Sequence, residues 1–535
     1  MLFLPLLLLL ASAADAQDVV DTGYAQYLGN RTFSNAVAYL GIPYAEPPLG
    51  DLRFRAPLPL NRTRITEQSN GQVIDATQYP DFCIQGSIGQ GDAGGAGSED
   101  CLKVNIYAPA GAKKGDNLPV LFYIHGGGYV FGNPRNWPFD HWIRQSPNVV
   151  VVSVYYRLDS FGFLSIPEFD DSAVGDSNAG FLDQVEALRW VRDNIASFGG
   201  DPSKVTINGQ SAGGGSVQHH LVANEDEGLF SGAIAQSVAR SKTPSPEQVK
   251  PLFDFYASRA GCDASTVDAK LACLRTASVS ALAMAQDSAR LFNGSYRSFN
   301  PVVDGKVIVG HATTLISQGK FRKVPMMVGA TSNETSGGGT DIAATLHATY
   351  PALSDEDVQD ILAAYPLSDF VSAEDRSRVV SGENALICAR EIFGAAFANA
   401  PAAWTYRYNQ PNPTTADVVQ GTAHAAENWM MFLGTNTGVN GTTTFTPMTP
   451  VENAFAEELI AYWLSFVRSG DPNTFKLSRS PEWPRYLPDQ TPVRIVLQED
   501  PGNSTTRSGN FIEQEPENQA RRCAVVGSKS EGEQN

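Results

Sequence analysis

Val205-Thr-Ile-Asn-Gly-Gln-Ser-Ala212, followed by Gly213, Gly214 and Gly215, is the stretch around which this 535-residue chain is organised. A β-branched run meets a Gly-x-Ser-x-Gly pattern and passes directly into a segment able to form a helix. That is the layout of a nucleophile elbow, a sharp strand-to-helix turn that lifts one serine hydroxyl clear of the sheet. A serine hydroxyl is a weak nucleophile, so it needs exposure, a base beside it and amide donors within reach. Gly209 and Gly213 carry no Cβ to strike the adjoining strand or helix, which leaves room for the turn. In a chain with 48 glycines the same pattern also fits a plain surface turn, so the flanking sequence has to decide.

Upstream, Leu118 to Ile124 is a short apolar run ending at His125-Gly126-Gly127-Gly128, and Val149 to Tyr156 is a second, valine-rich one. Unbroken apolar runs fit strands buried on both faces, as in a parallel sheet. Asp183 to Ala196 spaces Val185, Leu188, Val191 and Ile195 at helical intervals, so strand and helix alternate and the chain reads as α/β. Further expected strands are Ala233 to Gln236, Val324 to Gly329, Trp404 to Asn409 and Arg494 to Gln498, in a sheet of eight strands or more. A long helix is expected over Asn453 to Arg468, stopped by Gly470. Gly41 to Pro57 is rich in Pro and Gly and reads as irregular chain.

The glycines at Gly126 to Gly128 let backbone amides approach a substrate closely, and with the amide of Ala212 they make a candidate oxyanion hole. In this fold class the residues of a Ser/acid/His triad follow in that chain order. Of the seven histidines, only His347 and His424 also lie after a plausible strand-end acid. His347 falls in an expected helix, Asp341 to Thr349, whereas His424 sits in a loop after a strand, a better place for a base. His125, His219 and His220 read as structural. Glu334, just past the strand ending near Gly329, is the candidate acid that holds the imidazole tautomer and stabilises the imidazolium. Glu427 could compete for that part, and the simpler reading of it is a satisfied structural carboxylate.

The rest of the chain sets the context. Met1 to Ala16 holds an apolar run from Leu2 to Leu10 and ends in small residues, as a secretory signal peptide does, with the mature chain starting near Gln17. No later stretch is apolar enough to span a bilayer. Residues 17–526 are expected to form one catalytic domain and 527–535 a polar, disordered tail. A formal net charge of −18 disfavours nucleic acid and anionic membrane surfaces as partners. The six cysteines lack Cys-x2-Cys spacing and, behind a signal peptide, point to disulfides rather than a metal site. They allow fifteen pairings; Cys83 with Cys101 and Cys262 with Cys273 are the short-range candidates, leaving Cys388 with Cys523. Sequons stand at Asn30, Asn61, Asn293, Asn333, Asn440 and Asn503. Asn333 adjoins the candidate acid, so it is expected to be unglycosylated.

Asp176-Ser-Asn-Ala-Gly-Phe-Leu-Asp-Gln, Phe198-Gly-Gly-Asp-Pro and Gly209-Gln-Ser-Ala-Gly-Gly, together with Ser98-Glu-Asp-Cys-Leu-Lys-Val-Asn and Tyr156-Arg-Leu-Asp-Ser-Phe-Gly-Phe-Leu, resemble the type-B carboxylesterase and lipase family. Ala461-Tyr-Trp and Gly470-Asp-Pro-Asn extend the likeness over nearly the whole mature chain. The resemblance implies an α/β-hydrolase fold and a secreted serine esterase. It implies Ser211 as nucleophile, Glu334 as acid, His424 as base, and an oxyanion hole of Gly127, Gly128 and Ala212. It also implies the disulfides Cys83–Cys101, Cys262–Cys273 and Cys388–Cys523, a small-molecule ester as partner, and no metal or organic cofactor. Two departures stand out. Gln210 precedes the nucleophile where the family usually has Glu, and Ile84 to Asp100 lacks the tryptophan with which cholinesterases hold a quaternary ammonium, which disfavours choline esters. That loop is short and glycine-rich where lipases carry an amphipathic lid, so soluble or moderately sized esters, aryl or feruloyl esters among them, are expected. A lipase or sterol esterase is the alternative enzyme, and an inactive adhesion or binding protein of the same fold is the alternative class.

Overall fold

The computed structural model describes residues 18–87, 89, 95–223, 227–295, 297–335, 339–415, 421–437 and 442–535. The expected signal peptide and the sequon Asn440 lie outside the described residues. Leu118–Ile124 shows how the centre is built: Val120, Phe122 and Ile124 pack into one apolar cluster, and Leu121 and Tyr123 into another on the opposite face. A strand sends successive side chains to opposite faces, so an unbroken apolar run is what a sheet covered on both sides requires.

Six parallel pairings link seven strands in the order Val150–Val154, Leu118–Ile124, Gly200–Gln210, Gly232–Gln236, Met326–Thr331, Ala403–Tyr408 and Val493–Leu497. Five antiparallel strands extend the sheet at its two ends, and Ile74–Ala76 pairs in parallel with Gln26–Phe33, which makes thirteen strands in all among the described residues. Helices cover both faces. One of them, Ala179–Asn194, contributes Asp183, whose carboxylate takes a bidentate pair from Arg157 with both side chains almost fully buried. Removing either partner would leave an uncompensated buried charge, at a cost of about 3–5 kcal/mol.

All seven expected strands of the parallel region are present within a few residues, Gly200–Gln210 and Gly232–Gln236 starting earlier than read. The antiparallel strands Gln26–Phe33 and Lys103–Pro109 were not expected, and Ala36–Pro43 runs into the segment read as irregular from Gly41. The long helix begins at Pro450 rather than Asn453, because Thr449 and Glu452 close a reciprocal capping box and Pro450 takes the first helical position. The three disulfides join Cys83 to Cys101, Cys262 to Cys273 and Cys388 to Cys523.

Residues 527–535 depart from expectation. The helix Glu517–Ser528 enters them, and Glu533 pairs with Arg240 with both side chains fully buried. Thr243 donates from its amide and its hydroxyl to the Gln534 carbonyl, and Asn535 bonds Thr313. A polar composition reads as a tail only while its partners, hundreds of residues away, are unknown.

Candidate active site

The strand Gly200–Gln210 lies between Leu118–Ile124 and Gly232–Gln236, and ends at Ser211. Ser211 has φ +59° and is followed at once by the helix Ala212–Ala223. A non-glycine residue in this left-handed region stores about 1–3 kcal/mol, so the surrounding chain must hold it. Its amide donates to the Gln236 carbonyl at 2.9 Å and its carbonyl accepts from Gly215 at 2.9 Å. The two flanking glycines are there for space. A Cβ on Gly209 would come within 2.3 Å of Gly213 backbone, and one on Gly213 within 2.1 Å of the Ile124 carbonyl oxygen.

Glu334 follows the strand Met326–Thr331, and His424 lies in the loop between Ala403–Tyr408 and the short helix Ala426–Met431. The two loops are tied together, since the Asn333 amide donates to the Thr422 carbonyl at 3.0 Å. All of these loops leave the carboxyl ends of parallel strands, where an open α/β sheet gathers its functional groups. There His424 Nε2 stands 2.8 Å from Ser211 Oγ, and His424 Nδ1 stands 2.5 Å from Glu334 Oε2. Glu334 is acceptor-only when ionised, which assigns the proton to Nδ1 and leaves Nε2 to accept from the serine. In this arrangement the serine hydroxyl can pass its proton to the imidazole. The Glu334 side chain is fully buried and Oε1 also accepts from Thr331 N at 2.7 Å and Ser237 Oγ at 2.6 Å, whereas the His424 ring keeps 32% of its surface open.

Burial by itself would lower the His424 pKa, but the charge and hydrogen bond of Glu334 outweigh it and hold the imidazole above its ordinary 6.5. The other histidines are set differently. His125 is stacked between Trp137 and Tyr156, and burial pushes it down to about 4; His219 falls to about 4 and His220 to about 3 for the same reason. His347, on the helix Ile342–Thr349, stands 3.2 Å from Asp355 and makes no contact with Ser211 or Glu334. Gly127 has φ +107° and Phe131 O would lie 2.0 Å from a Cβ there, so its peptide geometry is open only to glycine. Gly128, next to Gly127 in the chain, lines the same cavity as Ser211, and Ala212 opens its helix, where an amide has no intrahelical acceptor.

Residues 16–512 match the model of the carboxylesterase family. The chain belongs to that family. The acylcarnitine hydrolase of Mus musculus is 31% identical over 494 residues, which make up 86% of this chain and 83% of that protein. The pyrethroid hydrolase Ces2e of Rattus norvegicus is 38% identical over 313 residues, 57% of this chain, and that match spans about half of the relative, 52% of its length. Among solved structures, the crystal structure of EstA from Aspergillus niger superposes with a TM-score of 0.82 at 29% identity, over 97% of this chain and 99% of that one. The mostly parallel sheet with helices on both faces is thus the α/β-hydrolase fold.

Within this carboxylesterase frame, Ser211, Glu334 and His424 open onto one cavity of about 1160 Å³. Its walls include Ala239 to Lys242, Phe292 to Ser295, Arg297 to Asn300 and Ala348 to Ala352, together with Phe163 and Leu164. Ser237 is a residue whose bond to the candidate acid no sequence motif marks. It ends the strand Gly232–Gln236 in a positive-φ conformation (+45°) and gives its hydroxyl to Glu334, and its only signal is its place at a strand end. Glu427 is buried, and its carboxylate oxygens meet no donor in strict hydrogen-bonding geometry among the described residues, while the Gln236 side chain lies near enough to favour the charged form. Burial first, and then the charge of Glu334, push its pKa up to about 7. Gln210 lies in the same region, accepting from Asn428 Nδ2 at 3.3 Å.

Proposed function

We propose that the chain is a secreted serine carboxylic-ester hydrolase working through an acyl-enzyme on soluble or moderately sized esters. The observation that carries this is the unbroken run from Ser211 Oγ through His424 to Glu334 at 2.8 and 2.5 Å, facing a cavity large enough for an ester. His424 takes the Ser211 proton as Oγ attacks the ester carbonyl, and the amides of Gly127, Gly128 and Ala212 receive the oxyanion. The alcohol departs with the proton held by His424. A water, deprotonated by the same imidazole, then attacks the acyl-enzyme, and the acid is released as Ser211 regains its proton. Every proton in this scheme is handled by protein side chains, so no metal or organic cofactor enters it. Secretion is supported by the leading apolar run Leu2 to Leu10 and by three disulfides, which persist in oxidising compartments.

The test is hydrolysis of 4-nitrophenyl esters from acetate to palmitate by the protein and by Ser211→Ala. The variant should lose at least about a thousandfold in kcat/KM, with an optimum at short or medium acyl chains. An optimum at palmitate, with a rate jump above its solubility limit, would replace esterase by lipase. Equal inactivity of both proteins would favour the binding-protein class.

A further inference from the structure

The cavity reverses the sign of the chain that encloses it. The protein carries 57 acidic against 39 basic side chains, yet the charged residues lining the cavity, among those described, are Arg240, Lys242, Arg297 and Glu334, with His424 beside them. Two of these are already matched: Arg240 by Glu533, and Glu334 by His424. Lys242 and Arg297 remain. Neither side chain forms an ion pair or hydrogen bond with any described residue, and each is partly withdrawn from water, which alone pushes its basicity below the ordinary value. Two lone cations at one site are costly unless something pairs with them.

Both are also held in place. Lys242 stands between Arg240, whose amide donates to Ala385 O, and Thr243, which is bonded twice to Gln534. Arg297 has its amide on Ser295 Oγ and its carbonyl on Asn300 Nδ2. Its side chain lies along Gly128, with Nε 3.0 Å from where a Cβ on that glycine would be. The guanidinium is therefore next to the peptide that would receive the ester oxygen, and close enough to His424 to oppose its protonation.

The geometry points to esters that carry a carboxylate, such as half-esters of dicarboxylic acids or esters of hydroxy acids, as the preferred substrates, with Arg297 and Lys242 as the specificity residues. The inference rests on the serine-esterase reading above. A guanidinium matches a carboxylate through paired, charge-assisted hydrogen bonds, and an ammonium adds a movable point charge. Within a strongly acidic protein, these two charges also focus the field that draws an anion past an otherwise repelling surface.

The experiment compares matched pairs: mono-4-nitrophenyl glutarate with 4-nitrophenyl pentanoate, which places the carboxylate on the acyl side, and 3-acetoxybenzoate with phenyl acetate, which places it on the leaving group. Values of kcat/KM are taken for the wild type, Arg297→Gln, Arg297→Lys, Lys242→Gln and Ser211→Ala, with spontaneous hydrolysis subtracted and melting temperatures recorded to check folding. The wild type should prefer the anionic member of at least one pair, and less so at high salt. The loss in Arg297→Gln or Lys242→Gln should be about tenfold larger on that member than on its neutral partner, with partial recovery in Arg297→Lys. If the wild type hydrolyses the neutral ester through Ser211 and disfavours the anionic one, this inference falls and the esterase reading stands. Equal losses on both members would also overturn it, making Arg297 a general stabiliser of the oxyanion. If the wild type cleaves no member of either pair faster than Ser211→Ala, both readings fall together.

Discussion

Replacing Glu334 by Gln keeps the shape of the side chain and removes both its charge and one acceptor, which makes it a sharp test of how the site works. In the native site Oε1 accepts from Thr331 N and Ser237 Oγ, and Oε2 accepts from His424 Nδ1. The Thr331 amide is a fixed donor, so the carbonyl oxygen of a glutamine must stay on that side. The glutamine NH2 then faces His424 Nδ1, which has to become an acceptor. The ring proton moves to Nε2, and Nε2 can no longer take a proton from Ser211 Oγ. A wrong tautomer in an otherwise intact triad costs roughly ten-thousandfold in kcat, about 5.5 kcal/mol.

The same substitution has a signature in pH. Catalysis needs neutral His424, so kcat/KM rises with pH through the imidazole pKa of the free enzyme. Glu334 holds that pKa above 6.5, so the wild-type acid limb should lie above 6.5 and that of Glu334→Gln should move down. Stopped-flow or plate kinetics on a 4-nitrophenyl ester from pH 5 to 9 measures both the loss and the limb. A loss under tenfold, or an unmoved limb, refutes the reasoning and transfers the acid's part to Glu427, the other carboxylate close to the imidazole.

Three further outcomes follow from single residues. Burial pushes the Glu427 carboxyl up to about 7, above the 4.5 of a free glutamate. A raised carboxyl pKa means that the folded state holds the proton more tightly, so its contribution is complete below 4.5 and lost as pH climbs through 7. Glu427→Gln should therefore remove up to about 3 kcal/mol of that decline, seen as a flatter melting temperature between pH 4.5 and 7; an unchanged slope contradicts it. Glu533→Ala leaves Arg240 as a buried, unpaired charge and should cost about 3–5 kcal/mol in denaturant titration, whereas a loss below 1 kcal/mol would mean that the pair is open to solvent. At Asn333 the side chain accepts from Arg378 and its Nδ2 lies 3.2 Å from where a Cβ on Gly421 would stand, so a glycan would have to displace these contacts beside Glu334. Glycopeptide mass spectrometry of active protein should find this sequon bare, and full occupancy would displace Glu334 from its assigned place.

The parts of the fold that could be read in advance share one property: their neighbours lie in the sequence or follow from a rule of period. Leu118–Ile124 and Val150–Val154 are buried on both faces and so carry unbroken apolar runs. Gln26–Phe33 is half exposed and contains a glycine and an asparagine, so its burial pattern is mixed and no run marks it as a strand. The gathering of Ser211, Glu334 and His424 was legible for a related reason. Each follows a strand, and parallel strands bring their carboxyl ends to one edge whatever their spacing in the chain.

What escaped the sequence depends on partners that only the fold supplies. How Glu427 titrates is decided by its burial and by the charge of Glu334, and whether residues 527–535 are ordered is decided by Arg240, Thr243 and Thr313 waiting in the body of the protein. The cavity charges belong to this class as well. A net charge of −18 described the whole chain correctly and said nothing of the site, because Lys242 and Arg297 are two residues among 39 basic ones until the fold sets them in the wall of the cavity that holds Ser211, where Glu334 is the one carboxylate among the described lining residues. Global composition constrains what can approach this protein, while the local exception to it constrains what can react there. The two together favour a small anion over a polyanion, since only a small anion can leave the repelling surface behind and exchange it for the paired cations inside.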